Sequence, residues 1–334
     1  MLAAIAVVAV PAAALTISIV LLGQALMDAT GQAPFADWRN YRDAVGRVLT
    51  GVALYEPVQL SGPYLMPDTV GSGYSYTPGS VPWLIPFAPD PPGAALWTSF
   101  NVGFFVSGLF AALCRDLGTR AVIPFAFALL GLILFLPFAS AVLSGNVNLF
   151  FASTFAWCWA VGRSEPRVGA LAAIGALFKL FPSVLVLWPT GRARKRSIVI
   201  AAGVVIASAV ASLVMMGPQA WLDFPSVLLN AQPYCTDVRV SIPCVLTPVV
   251  GALGSKAIAI GLALSALAGA LVVRSDRAAF VLFGVAMLAP VSDMHFNYWL
   301  IAYVALVVLI GGALRRSDRV RSPATAAAVE AALG

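Results

Sequence analysis

Apolar residues run along this chain in long blocks rather than in alternation, and the blocks have the length of membrane helices. Residues 2 to 27 stay apolar over more than about 20 positions, enough to cross a hydrocarbon core. They lack a basic leader and an Ala-x-Ala cleavage site, so they read as a retained first span. Further runs lie at 94 to 114, 121 to 143, 147 to 162, 168 to 188, 198 to 216, 243 to 273, 278 to 292 and 297 to 314. Basic clusters punctuate them. With a cytoplasmic N-terminus, Arg115/Arg120, Arg163/Arg167, Arg192/Arg194/Lys195/Arg196, Arg274/Arg277 and Arg315/Arg316/Arg319/Arg321 all fall on the cytoplasmic side, 14 of the 20 Lys and Arg.

That sorting holds on one condition. The run at 168 to 188 has basic clusters at both ends, so it must enter the membrane and return. Ala170 to Phe178 and Ser183 to Trp188 are each too short to span, and they meet at Lys179-Leu180-Phe181-Pro182. Pro182 lacks a backbone donor and disfavours helix in the residue before it, which predicts a break at Phe181. A broken backbone at membrane depth is tolerated where it lines a watery cavity. The alternative is one full span that violates the charge rule locally.

Two external loops follow, 28–93 and 217–242. In the first, Trp38, Tyr41, Val45, Val48 and Leu49 recur at helical spacing, while Arg39, Arg42, Asp43 and Arg47 fall largely on the other face. This predicts an amphipathic helix lying in the interface and ending near Gly51. From Gly62 to Gly93 the loop holds eight prolines and five glycines, with Tyr64, Tyr74, Tyr76 and Trp83 among them. Such rings can form a sugar-binding wall or an interfacial aromatic belt. In and just beyond the second loop Cys235 and Cys244 stand nine residues apart, and on an oxidising side they can pair; Cys114 and Cys158 lie in apolar runs.

Composition agrees: 60% hydrophobic, 10% charged and a mean hydropathy of +0.92 over 334 residues describe a chain solvated mainly by lipid. The expected fold is all-α, a polytopic helical membrane protein of about eight spans plus the re-entrant hairpin and the external helix. It forms a single domain over 1–322, followed by a short cytoplasmic tail, 323–334. The Ala- and Arg-rich usage points to a bacterial plasma membrane. A net charge of +6 would suggest nucleic acid in a soluble protein, but here it orients loops, and no basic stretch is interleaved with aromatics. The chain shows no zinc-spaced Cys/His cluster, no Gly-rich phosphate loop, no nucleotide fingerprint and no Asp-x-Asp pair, so neither a metal nor another cofactor is indicated. Nothing in the sequence sets an oligomeric state.

Polar residues inside apolar sequence are few: Asn101, Asn146 and Asn148, Lys179, and Asp293 with His295, the one histidine of the chain. Charge at membrane depth is costly and usually marks a site or pathway. The topology puts Asp37, the Asn146 turn, Asp293 and His295 on the outer side, with Lys179 reaching toward them from below. A carboxylate at Asp37 can act as a base on a substrate held at the bilayer surface. It can equally cap the helix that begins at Trp38.

At these residues the chain resembles a known group. Asp37 with Tyr41; Gly51 with Leu54-Tyr55; Tyr74-Ser75-Tyr76-Thr77-Pro78; Trp97 with Asn101; Gly145-Asn146-Val147-Asn148; Lys179-Leu180-Phe181-Pro182; and Pro290-Val291-Ser292 with His295 are similar, in order, to the polyprenyl-phosphate-mannose-dependent mannosyltransferases of the GT-C superfamily, family 87. The resemblance runs from about 35 to 300 and implies a GT-C-like fold. It implies that a sugar moves, with inversion and without a nucleotide, from a polyprenyl-phosphate donor to a glycolipid or glycan acceptor outside the cytoplasm.

In that setting Asp37 matches the family's loop-one aspartate, the general base. His295 matches a histidine near the donor phosphate, and Lys179 would neutralise that phosphate as a point charge. Their bland readings are a buried histidine satisfied by a carbonyl and a lysine snorkelling to water. Tyr41, Tyr74, Tyr76, Asn146, Asn148, Asp293 and Arg239 are further candidates for substrate contact, although the asparagines equally suit hairpin turns. A polyprenyl-phosphate-arabinofuranose donor is the nearest rival. A lipid or sugar transporter is the rival of another class, against which stands the absence of an internal repeat. A noncatalytic envelope scaffold is a third.

Overall fold

A computed structural model describes residues 35–64, 73–90, 92–231, 241–291 and 296–333, of which residue 296 and those from 318 onward are described by backbone alone. The first apolar run, Cys235, Arg239, Asp293 and His295 lie outside the described residues.

The described chain is helical, with no strand. The amphipathic stretch of the first loop forms α1 (Ala36–Leu49), which buries Trp38, Tyr41, Ala44, Val45 and Val48, the face its 3.6-residue period predicts. The rest of that loop folds as α2 (Pro57–Ser61), a 3-10 turn (Pro78–Ser80), α3 (Val81–Leu84) and a second 3-10 turn (Ile85–Phe87). All four carry proline in the first turn, where its missing N–H leaves no bond unmade.

Among the described residues the bundle begins with α4 (Pro92–Leu117), then α5 (Val122–Ile133), α6 (Leu136–Ser144) and α7 (Asn148–Val161). The apolar run at 121 to 143 is thus not one helix. It breaks at Phe135, whose backbone is extended ahead of Pro137. α4 and α7 pair closely because Gly108 leaves room for Trp157, which a Cβ would meet at 3.1 Å.

The next run breaks as well, two residues before the expected place. α8 (Val168–Phe178) stops at Lys179, whose backbone is extended, and Phe181–Leu187 returns as a 3-10 helix opened by Pro182. This return packs on α8 with Pro182 against Gly175. Its ends meet: the Thr190 amide donates to the Arg163 carbonyl at 2.9 Å, and Arg163 Nε donates to the Trp188 carbonyl at 3.2 Å. The segment therefore goes in and comes back. α9 (Gly191–Met216) follows and lies so close to α8 that a Cβ at Gly169 would run into the Ser197 carbonyl.

Beyond it come α10 (Gln219–Asn230), α11 (Ile242–Val272), α12 (Asp276–Leu288) and, after a 3-10 turn at Phe296–Tyr298, α13 (Trp299–Leu333). α11 is kinked by Pro248 and a non-helical Gly251. α10 was not expected. It closes over the first loop: Tyr64 donates its hydroxyl to the Val227 carbonyl and Asn230 donates its side-chain amide to the Gln59 carbonyl.

By length and composition four stretches suit a membrane span: Pro92–Ile133, Gly191–Met216, Ile242–Val272 and Trp299–Ser317. α7 and α8 are apolar but shorter. The chain is a helical membrane protein, with fewer full-length spans among the described residues than the apolar runs imply, because breaks at Phe135 and Lys179 divide two of them.

Arginines from four distant segments gather at one end of the bundle. Asp116, its side chain 3% exposed, accepts from Arg277 at 2.7 Å and from Trp159 Nε1 at 3.3 Å, with Arg315 at 4.0 Å. Asp276 pairs with Arg115 at 3.4 Å and Arg163 at 3.3 Å. The guanidinium of Arg115 lies over Trp159 and that of Arg163 over Trp188. This placement of Arg115, Arg163, Arg277 and Arg315 on one side matches the sorting of charge along the sequence. Trp97, at the other end of α4, stands about 27 Å away along the helix axis.

Candidate active site opposite the arginine cluster

The site is built on the turn between α6 and α7. Gly145 ends α6 with φ 67°, a left-handed conformation that glycine adopts without steric cost. Its bare Cα lets α1 press on the turn, since a Cβ there would sit 2.8 Å from that of Trp38. Trp97 Nε1 donates to the Gly145 carbonyl at 2.7 Å and pins the turn to α4.

α1 meets the turn through Asp37. Asn146 Nδ2 donates to Asp37 Oδ2 at 2.8 Å, while Asn146 Oδ1 accepts from the Asn148 amide at 2.8 Å. One side chain thus holds the carboxylate and starts α7. Asp37 is not the cap of its helix: α1 begins at Ala36, and the preceding residue is Phe35 with φ 55°. A positive φ on a bulky residue is strained, and the Phe35 amide is fixed by donation to the Leu143 carbonyl at 2.8 Å. The entry to α1 is therefore set by the same turn that holds Asp37.

Two tyrosines stand beside the carboxylate. The Val147 amide donates to the Tyr41 hydroxyl, which shares a hydrogen bond of 3.3 Å with the Tyr76 hydroxyl. Burial, then the Asp37 charge for Tyr41 and the Tyr41 hydroxyl for Tyr76, push both phenols well above their ordinary range. They stay protonated at neutral pH. Tyr76 is held in place by Tyr55, whose hydroxyl donates to its carbonyl at 2.7 Å. Tyr74 is fully buried, with its hydroxyl on Ser80 and its ring edge-on to Tyr76. Tyr64 is likewise inside the packing, and Trp83 reaches away to Ser208 on α9.

Lys179 arrives from the break after α8. The Thr77 hydroxyl donates to the Leu177 carbonyl at 2.6 Å, stitching the first loop to that break. The Lys179 ammonium donates to the Tyr298 hydroxyl and lies 5.8 Å from the Tyr76 ring centre. Asp37, Asn146, Tyr41, Tyr76 and Lys179 are thereby linked in one chain of contacts. Asn148 and Asn297 bury side-chain oxygens that have no hydrogen-bond partner, which is what a polar ligand or water normally satisfies. Asn101 turns its amide back to the Trp97 carbonyl. Arg42 is engaged by Asp43 and Asp90. Cys244 is disulfide-bonded, and Cys114 and Cys158 are free.

Sequence reasoning missed Tyr298 as the partner of Lys179, although it lies three residues past His295. It also missed the structural part played by Thr77, which nothing but its place in the Tyr-Ser-Tyr-Thr-Pro run could have flagged.

An acid near a buried hydroxyl pair and a lysine, at one end of a membrane bundle, can deprotonate an alcohol and receive an anion. Neither curated proteins nor solved structures give a match to the chain. The model of glycosyltransferase family 87 does, over residues 74–292, well over half of the chain, and this span contains Tyr76, Asn146 and Lys179 while Asp37 precedes it. The chain belongs to glycosyltransferase family 87, a family of membrane glycosyltransferases.

Proposed function

We propose that this glycosyltransferase moves a mannosyl group from a polyprenyl-phosphate donor to a hydroxyl of a glycolipid or glycan acceptor at the extracytoplasmic face, with both termini cytoplasmic. Asp37 takes the proton of the acceptor hydroxyl. The freed oxygen attacks the anomeric carbon as its bond to the phosphate oxygen breaks, and the polyprenyl phosphate leaves with the electron pair. A single displacement inverts the anomeric configuration. Because a lipid phosphate is already a good leaving group, the reaction needs a base on one side and positive charge on the other.

The observation that carries this reading is the placement of Asp37. Its described partner is an amide that leaves its charge in place, and the Tyr41–Tyr76 pair separates it from the Lys179 ammonium. Lys179 neutralises the departing phosphate, with His295 as a second donor to it; Tyr41, Tyr76 and Asn148 touch the sugar. Asp293 and Arg239 are assigned to the rim of the same site.

The test is transfer by the purified chain in lipid vesicles, supplied separately with polyprenyl-phosphate-mannose and polyprenyl-phosphate-arabinofuranose and a mannosylated lipid acceptor. Product from the mannose donor with inverted configuration supports the reading. Product from the arabinose donor alone replaces the sugar, and a retained configuration removes Asp37 as the base of a single displacement.

A further inference from the structure

Two asparagines at the site bury a side-chain oxygen that nothing in the fold answers. Asn148 and Asn297 are each 3% exposed, and neither Oδ1 has a hydrogen-bond partner. A buried acceptor without a donor costs free energy, so its natural complement is a group that arrives carrying donors. Hydrocarbon carries none. Asn101 also has a spare oxygen, but its amide nitrogen is committed to the Trp97 carbonyl of its own helix.

The places of these two residues narrow the choice of ligand. Asn148 starts α7 on the Asn146 side chain, the same side chain that holds Asp37. Asn297 precedes Tyr298, whose hydroxyl receives the Lys179 ammonium, and neighbouring Cα atoms stand only about 3.8 Å apart. The turn at 296–298 packs on α6 and α7. Ring contacts join the two positions: the Tyr298 ring centre lies 5.7 Å from that of Phe181, which lies 5.0 Å from that of Phe151, about one turn along α7 from Asn148. One spare oxygen thus stands beside the holder of the base and the other beside the holder of the cation. A sugar in transfer lies between those two groups.

We infer that Asn297 is a specificity residue whose Oδ1 accepts a hydrogen bond from the C2 hydroxyl of the sugar being transferred, with Asn148 accepting from a hydroxyl further round the same ring. This rests on the donor class proposed above. An amide oxygen can bond neither the donor phosphate, a diester without a proton to give, nor the polyprenyl chain; it needs an O–H. The phosphate sits on the anomeric carbon, so the hydroxyl of the next carbon, C2, comes nearest to Lys179 and Tyr298. Such a site discriminates by absence: a sugar that lacks the hydroxyl shuts the oxygen away from water and gives it nothing in return.

The test compares the binding of three lipids to the full chain in vesicles: polyprenyl-phosphate-mannose, its 2-deoxy counterpart and bare polyprenyl phosphate. The wild type is expected to bind the mannose donor on the order of tenfold more tightly than the 2-deoxy donor. Asn297→Leu, which keeps the branched shape without the acceptor, should close that gap and hold bare polyprenyl phosphate as tightly as the wild type does. Asn297→Ala makes the same comparison without added bulk. Equal affinity of the wild type for both donors would overturn the inference, as would a gap that persists in the two variants. Weaker binding of all three lipids by both variants would also overturn it, since Asn297 would then support the fold or the phosphate rather than read the sugar. Binding needs no transfer, so a chain that discriminates at C2 but moves no sugar defeats the proposed reaction alone. A chain that moves mannose without discriminating at C2 defeats this inference alone.

Discussion

The two ends of this bundle handle carboxylates in opposite ways. At one end Asp116 is buried and answered by Arg277, Arg315 and Trp159, while Asp276 is answered by Arg115 and Arg163. At the other, Asp37 has no ion pair among the described residues, and an asparagine holds it. Paired charge welds segments together but does no chemistry, because each carboxylate is already answered by arginine. A carboxylate held by an amide keeps its charge while its position is fixed. The first arrangement joins α4, α12, α13 and the turn after α7; the second is available to a substrate.

Breaking the first end should cost stability and leave chemistry alone. Asp116→Ala strands Arg277 and is expected to destabilise the fold by about 3 kcal/mol, read as a lower Tm in detergent, with donor KM unchanged in the folded fraction. A change in KM without a change in Tm would abolish the distinction. Breaking the hold on Asp37 should do the reverse. Asn146→Ala removes a hydrogen bond to a charged group and should slow transfer roughly 10- to 100-fold with little change in Tm, apart from what the start of α7 loses. Unaltered transfer would mean that Asp37 needs no positioning.

Smaller effects refine the picture. Tyr76→Phe removes the hydroxyl partner of Tyr41 and should slow transfer about fivefold, the worth of one neutral hydrogen bond. The pH profile should lack a tyrosine limb: with both phenols pushed above their ordinary range of about 10, their ionisation leaves the rate untouched up to that pH. A loss of rate centred near pH 9 in the wild type, absent in Tyr41→Phe, would contradict the burial of that pair.

Much of this was legible in the sequence because lipid enforces simple rules. Runs of apolar residues and the placement of arginines pointed to the helical class and to the gathering of Arg115, Arg163, Arg277 and Arg315 at one end. Pro182 marked the returning segment, but the break came at Lys179, since packing of the return on Gly175 decided where α8 had to end. Phe135 and α10 were not legible: neither hydropathy nor charge changes enough at 134–135 to end a helix, and α10 is formed by residues whose value lies in covering the first loop. At the site, Asn146 and Lys179 were visible as polar groups in apolar sequence, Asp37 as a carboxylate in the first external stretch, and Tyr41 and Tyr76 as aromatic residues of that loop. Their order in space was not, because it depends on Gly145 and Phe35 adopting left-handed backbone.

The most direct test is sugar transfer by Asp37→Asn in reconstituted vesicles, beside a wild type of equal Tm. Loss of a general base predicts transfer reduced by at least about a hundredfold, with binding of the lipid-phosphate donor retained. Transfer within a few-fold of wild type would show that the carboxylate at position 37 takes no proton, and the account of the site would fall with it.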